Sequence, residues 1–165
     1  MLNNKGKKKL TCILVEDDND HAEIFMRGLQ SPNGNDFKHV SVLRFTEGES
    51  VLRYIAQSNQ DGIAEAPALI VIDLNLPRVD GFELIKAVRA SHILSLVPIV
   101  VWTTSMAKRD AERAYRMGAN SYIVKPLEIK ALLAMLGSLF SFWTLFNQTT
   151  EPLVPAHESS FGVSR

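Results

Sequence analysis

Along this chain, apolar runs with no helical period alternate with segments whose apolar residues recur at helical spacing. Leu10 to Val15 (LTCILV) is a short apolar run that ends abruptly in the acids Glu16, Asp17, Asp18 and Asp20. The run predicts a strand. Ala22, Phe25, Met26 and Leu29 then recur as on one helix face, with Asp18 or Asn19 placed to cap that helix. Ser31 to Asp36, rich in Pro, Gly and Asn, reads as a break. Val40 to Phe45 alternates as a second strand, and Glu47 to Ala56 follows as a helix with Val51, Leu52 and Ile55 on one side. The polar stretch Gln57 to Ala66 reads as a loop, stopped by Pro67. Ala68 to Ile72 (ALIVI) is wholly apolar, as expected of a strand covered on both faces, and ends in Asp73.

After the turn LNLPRVDG, Phe82 to Ala90 forms a third helix. Pro98 to Trp102 (PIVVW) is another buried strand, ending in Thr103 and Thr104. A helix over Lys108 to Met117, a stop at Gly118, a strand over Ser121 to Val124 and the pair Lys125-Pro126 come next. The last helix covers Leu127 to about Phe146. Five strand–helix alternations without internal repeats predict an α/β fold, a doubly wound five-stranded parallel sheet with helices on both faces. Ligand sites in that architecture lie beyond the carboxyl ends of the strands. The polar exceptions fall at those ends: the acids after the first strand, Asp73 after the third, Thr103 after the fourth and Lys125 after the fifth.

At 165 residues the chain suits one domain, taken here as 10–146, with a basic N-terminus over 1–9 and a Pro-containing tail over 147–165. Lys plus Arg and Asp plus Glu are both 18, so no basic footprint calls for nucleic acid. No uninterrupted run reaches the roughly 18 apolar residues of a membrane span. Cys12 is the single cysteine and sits in an apolar run, where it reads as a small core filler. Together these features predict a cytoplasmic protein with neither a nucleic-acid nor a membrane partner.

Glu16, Asp17 and Asp73, placed together, would repel one another unless a cation intervened. A site of oxygens without thiolates favours a hard ion, and Mg²⁺ is the natural candidate. A carboxylate such as Asp73 can attack a phosphoryl group to form an acyl phosphate. The metal and the Lys125 ammonium would neutralise the charge on the phosphoryl oxygens, and the Thr103 hydroxyl would donate to one of them. Asn75, two residues past Asp73, lies close enough for its backbone carbonyl to reach the same ion. Taken singly, each residue also has an ordinary reading as a solvated loop or strand-end group. Their joint pattern is what points to chemistry.

At this point the chain resembles a receiver domain of a bacterial two-component response regulator, over about Lys9 to Leu139. The matching pieces are ILVEDD at 13–18, VIDLNLPRVDGFEL at 71–84, VVWTTS at 100–105 and GANSYIVKP at 118–126. The resemblance implies a flavodoxin-like fold, with Asp73 as phosphoacceptor and Glu16, Asp17, Asp73 and the Asn75 carbonyl around Mg²⁺. It implies that Thr103 and Lys125 grip the attached phosphoryl group and that Tyr122 is a switch aromatic following the Thr103 hydroxyl inward. A cis Lys125–Pro126 bond is implied too. Two features depart from the pattern. Thr104 stands where many receivers have Ala, which bears on access to the phosphoryl group, and the segment between Asp17 and Asp73 is longer than in compact receivers.

The C-terminal stretch LFSFWTLFNQTTEPLVP resembles small receivers that work with phytochrome-type histidine kinases. The last helix is more apolar than one buried face requires, so Leu136, Phe140, Trp143 and Phe146 are candidates for homodimer contacts. Output is expected through a downstream protein or phosphotransfer partner. Two other functions compete. A phosphorylation-independent adaptor would have no need of the full set Glu16, Asp17, Asp73, Thr103 and Lys125, whereas a phosphate sink whose phosphorylation informs no target would keep it. An aspartyl-phosphate phosphohydrolase would place a second acid shortly after its nucleophile, where this chain has Asn75.

Overall fold

The computed structural model describes residues 9–30, 37–63 and 65–148. Five strands, β1 (Leu10–Val15), β2 (Val40–Phe45), β3 (Leu69–Ile72), β4 (Ile99–Thr103) and β5 (Ser121–Val124), form one parallel sheet in the order β2-β1-β3-β4-β5. Between and after them run α1 (Asn19–Gly28), α2 (Gly48–Asp61), α3 (Gly81–Ala90), α4 (Lys108–Arg116) and α5 (Ile129–Ser141). This is the flavodoxin-like order, in which the chain reverses direction across the sheet between β1 and β3.

The period-2 alternation of the inner strands sorts their side chains into two cores. Ile13, Val15, Ile70, Ile72, Ile99 and Val101 face one way, onto Val51 and Ile55 of α2 and Leu84, Ile85 and Val88 of α3. Cys12, Leu14, Leu69, Val71, Val100 and Trp102 face the other way, onto α1 and α5. The inner strands are therefore apolar except at Thr11 of β1 and at Thr103, which ends β4, whereas β2 and β5, at the sheet edges, are half-buried. On the second face α1 and α5 meet where a Cβ on Gly28 would lie 2.6 Å from Leu136 Cβ, so the close approach requires glycine. Burial pushes the Cys12 thiol up to about 12, which leaves it an inert core filler.

Helix ends explain most differences from the sequence pattern. Helix α2 continues through Gln57–Asp61, which the polar composition marked as loop. Its last turn is held by a Gln57–Asp61 side-chain hydrogen bond and ends at Gly62, whose φ of 77° is a glycine conformation. Asp18, rather than Asn19, caps α1, its carboxylate accepting from the His21 N–H at 2.9 Å. Helix α5 begins two residues later than the pattern suggested. Past Ser141 it loosens into a π-helical turn, Phe142–Phe146.

Two expectations are corrected here, and a third is examined against the packing. The Lys125–Pro126 peptide is trans, the intrinsically favoured isomer of an X–Pro bond. Lys125 is instead held by its own N–H, which donates to the Thr103 carbonyl at 2.7 Å. Leu136 and Phe140, both fully buried, pack into the second core and are withdrawn as dimer contacts. Finally, Ile129–Phe146 is long and apolar enough, by length and composition, to cross a membrane. Its Leu132, Leu136, Leu139 and Phe140 nevertheless complete the core beside α1, so the helix serves the domain.

Candidate functional site

The order β1-β3-β4-β5 brings four strand ends side by side, and each delivers one polar group to the same spot. Glu16 follows β1, Asp73 follows β3, Thr103 closes β4 and Lys125 follows β5. Glu16 and Thr103 are wholly buried, and Asp73 and Lys125 are each about 5% exposed. The Lys125 ammonium sits between the two acids, 2.7 Å from Glu16 Oε2 and 2.7 Å from Asp73 Oδ2. It also lies 4.5 Å from the centre of the Trp102 ring, within cation–π range.

Short backbone contacts fix the acids. Glu16 Oε1 accepts from the Asp18 N–H at 3.2 Å, and Asp73 Oδ1 accepts from the Asn75 N–H at 3.1 Å. Burial, reinforced by the nearby Asp73 charge, raises the Glu16 pKa, although Lys125 pulls the other way. The acidic loop after β1 is clamped from β2 by Arg44. Its guanidinium donates to the carbonyls of Glu16 and Asp17 at 3.0 and 3.2 Å and to Asn19 Oδ1 at 2.9 Å.

The β4 side carries a second chain of contacts. Asn75 Nδ2 donates to Thr104 Oγ1 at 3.2 Å and, at 3.4 Å, to Thr103 Oγ1. Thr103 Oγ1 also accepts from the Ser105 N–H at 3.3 Å. The Ser105 carbonyl in turn accepts from the Tyr122 hydroxyl at 3.0 Å, so Tyr122 is tied to the turn that begins at Thr103. Partial burial raises the Tyr122 phenol pKa.

Glu16, Asp73, Asn75, Thr103 and Lys125 thus converge, with Tyr122 joined through Ser105. Asp17 lies at the rim, its residue exposed. Trp143 is half-buried against the second core, and Phe146 is 71% exposed. Sequence reasoning missed His21, Trp102 and Arg44. His21 brings Nδ1 to 3.6 Å from Glu16 Oε1, and ligand atoms of Glu16, His21 and Asp73 all lie within 4.8 Å of one another. Its position four residues after Asp17, on the first turn of α1, was the available signal. Trp102 looked like one more apolar strand residue, and nothing in the order of residues marked Arg44.

Two buried carboxylates facing one ammonium at the carboxyl edge of a parallel sheet make a site for a phosphoryl group and a hard cation. Comparison with known proteins agrees. Residues 12–137 match the response regulator receiver domain. The chain is 33% identical over 140 residues to the probable methanogenesis regulatory protein FilR2 of Methanothrix harundinacea, covering 85% of this chain and 87% of that one. It is 29% identical over 131 residues to response regulator Rcp1 of Synechocystis sp., covering 79% of this chain and 86% of that one. The crystal structure of the phosphorylated cyanobacterial phytochrome response regulator RcpA superposes with a TM-score of 0.74 at 26% identity, covering 85% of this chain and 97% of that one. With its fold, its acid–lysine cluster and these matches in agreement, the chain belongs to the response regulator receiver domain family.

Proposed function

We propose that Asp73 accepts a phosphoryl group from a histidine kinase and that the resulting change is passed on by protein contact or phosphotransfer. The observation that carries this reading is the buried Lys125 ammonium, shared between Asp73 and Glu16 at 2.7 Å each. An Asp73 carboxylate oxygen attacks phosphorus, the bond from phosphorus to the donor's leaving group breaks, and an aspartyl phosphate remains. Lys125 then turns from the spent carboxylate to the phosphoryl oxygens, and the Thr103 hydroxyl donates to one of them.

Glu16, Asp17, Asp73 and the Asn75 carbonyl would hold Mg²⁺, a hard ion suited to their oxygens, and the relative Rcp1 has been solved in a Mn(2+)-bound form. When bound, the ion supplies neutralisation of the phosphoryl charge. Drawing Thr103 Oγ1 toward the phosphoryl group would cost its contact with the Ser105 N–H. The Ser105 turn, and with it the Tyr122 hydroxyl bonded to the Ser105 carbonyl, would then be released to rearrange, which gives the switch a mechanical path. The phosphohydrolase reading loses support at Asn75, whose side chain is an amide donating to Thr103 and Thr104.

RcpA is a phytochrome response regulator, and that likeness supports a phytochrome-type histidine kinase as the donor. A cytoplasmic location accords with this reading, because ATP, the source of a kinase's phosphoryl group, is there. Beyond α5, the exposed Phe142 and Phe146 flank the half-buried Trp143, and we assign this apolar end to contact with a second copy of the chain. Intact mass before and after acetyl phosphate tests the chemistry. A phosphoryl gain that needs Mg²⁺ and is absent from Asp73→Asn supports it. Persistent absence of any adduct, with beryllofluoride also failing to bind, returns the chain to an adaptor.

A further inference from the structure

A lysine ammonium carries three N–H donors and no acceptor. In this site each of Lys125's three donors has a partner: Glu16 Oε2 at 2.7 Å, Asp73 Oδ2 at 2.7 Å and His21 Nδ1 at 3.1 Å. The first two belong to the chemistry already described, whereas the third is an imidazole that the phosphoacceptor reading does not use. We propose that His21 is a positioning residue for Lys125, its Nδ1 serving as the third acceptor that holds the ammonium in place over Asp73.

The contact has a defined sense. Since the ammonium can only donate, Nδ1 must present its lone pair, and the ring proton sits on Nε2. The imidazole is itself well fixed. His21 lies on the first turn of α1, its backbone N–H donates to the capping Asp18 carboxylate at 2.9 Å, and its ring meets Trp102 edge-on at 6.2 Å. The Lys125 side chain is only 3% exposed, so bulk water is poorly placed to replace a lost acceptor.

The inference rests on the proposed role of Lys125 in gripping the phosphoryl group. Before transfer, Glu16, Asp73 and His21 hold the ammonium on three sides. After transfer, the Asp73 oxygen is committed to phosphorus, and Glu16 and His21 keep the ammonium within reach of the new oxygens. A His21 that merely packs against Trp102 would be replaceable by any side chain of similar bulk.

The test compares His21→Leu, which keeps bulk and removes the acceptor, with His21→Asn, whose Oδ1 can take the place of Nδ1. Affinity for beryllofluoride in saturating Mg²⁺ is the readout, measured for the full chain in both the unmutated and the Lys125→Met backgrounds. His21 is partly exposed, so both substitutions should fold, and a thermal melt establishes that first; His21→Ala replaces His21→Leu if it does not. The expected result is a loss of about tenfold for His21→Leu, most of it recovered in His21→Asn, with no further loss when His21→Leu is added to Lys125→Met. Equal affinities for His21→Leu and the unmutated chain overturn the proposal. So does an equal loss in His21→Asn, or the same loss in the Lys125→Met background. Failure of the unmutated chain to bind beryllofluoride overturns the phosphoacceptor reading, and this inference with it.

Discussion

Lys125 Nζ and Asp73 Oδ2 lie 2.7 Å apart although 52 residues separate them in the chain. The contact exists because β3, β4 and β5 are consecutive in the sheet and each ends at the same edge. Glu16, from β1 on the other side of β3, shares the same ammonium. Two buried acids are thus held together by one cation, an arrangement in which losing the lysine leaves uncompensated negative charge.

Gly81 opens α3 directly beneath the acceptor. A Cβ there would lie 2.4 Å from the Asp73 carbonyl oxygen and 2.7 Å from Leu74 Cα, and backbone atoms cannot yield as a flexible side chain can. Gly81→Ala is expected to destabilise the fold by about 1–3 kcal/mol in urea unfolding. It should also slow phosphorylation in proportion to the displacement of Asp73.

Thr104 is exposed at the mouth of the site, where its hydroxyl accepts from Asn75 Nδ2. Thr104→Ala removes that partner and opens a path for water. The aspartyl phosphate should be lost several-fold faster in the variant, on the order of 1 kcal/mol in the barrier. An intact-mass time course after removal of acetyl phosphate measures this, and an unchanged lifetime means Thr104 does not guard the bond.

The end of α5 separates stability from association. Leu136→Ala removes a fully buried side chain and is expected to cost about 2–5 kcal/mol of stability. Phe146→Ser changes an exposed one and should leave unfolding within about 0.5 kcal/mol. If the apolar end joins two copies, Phe146→Ser shifts sedimentation toward the monomer while Leu136→Ala chiefly lowers the melting temperature. A chain that sediments as a monomer without substitution refutes the assignment.

Asp18 supplies a pH dependence. Its carboxylate pKa is lowered, chiefly by the hydrogen bond from the His21 backbone N–H, so the folded chain favours the ionised form. The resulting stabilisation is complete above the ordinary aspartate pKa of the unfolded chain and disappears as pH falls through the lowered folded value. Asp18→Asn keeps a capping acceptor without a charge that titrates there. The stability difference between the two, measured in chelator, should therefore be larger at neutral pH and change only in the acid range.

Much of this was legible because strand burial and chemistry leave opposite marks in the sequence. ALIVI followed by Asp73, and PIVVW followed by Thr103, show apolar runs broken at the sheet edge, where a polar group can only be functional or solvated. Gln57–Asp61 was lost as helix because all five of its residues are polar, and a turn with one buried side chain, Ser58, has no apolar period. Leu136 and Phe140 could not be told from Phe146 in a helix apolar on several sides. Only packing against Phe25 and Gly28 separates inward from outward. His21 was hidden for another reason: its role depends on the distance to a lysine that folding brings in from the opposite end of the domain.

The central claim, that Asp73 itself carries the phosphoryl group, is tested most directly by borohydride trapping. The chain is phosphorylated with acetyl phosphate and Mg²⁺ and reduced, and its peptides are mapped by mass. Reduction of an aspartyl phosphate leaves homoserine, and the account predicts homoserine at position 73 alone. Homoserine at another acid, or a phosphorylated chain with position 73 still aspartate, would contradict it.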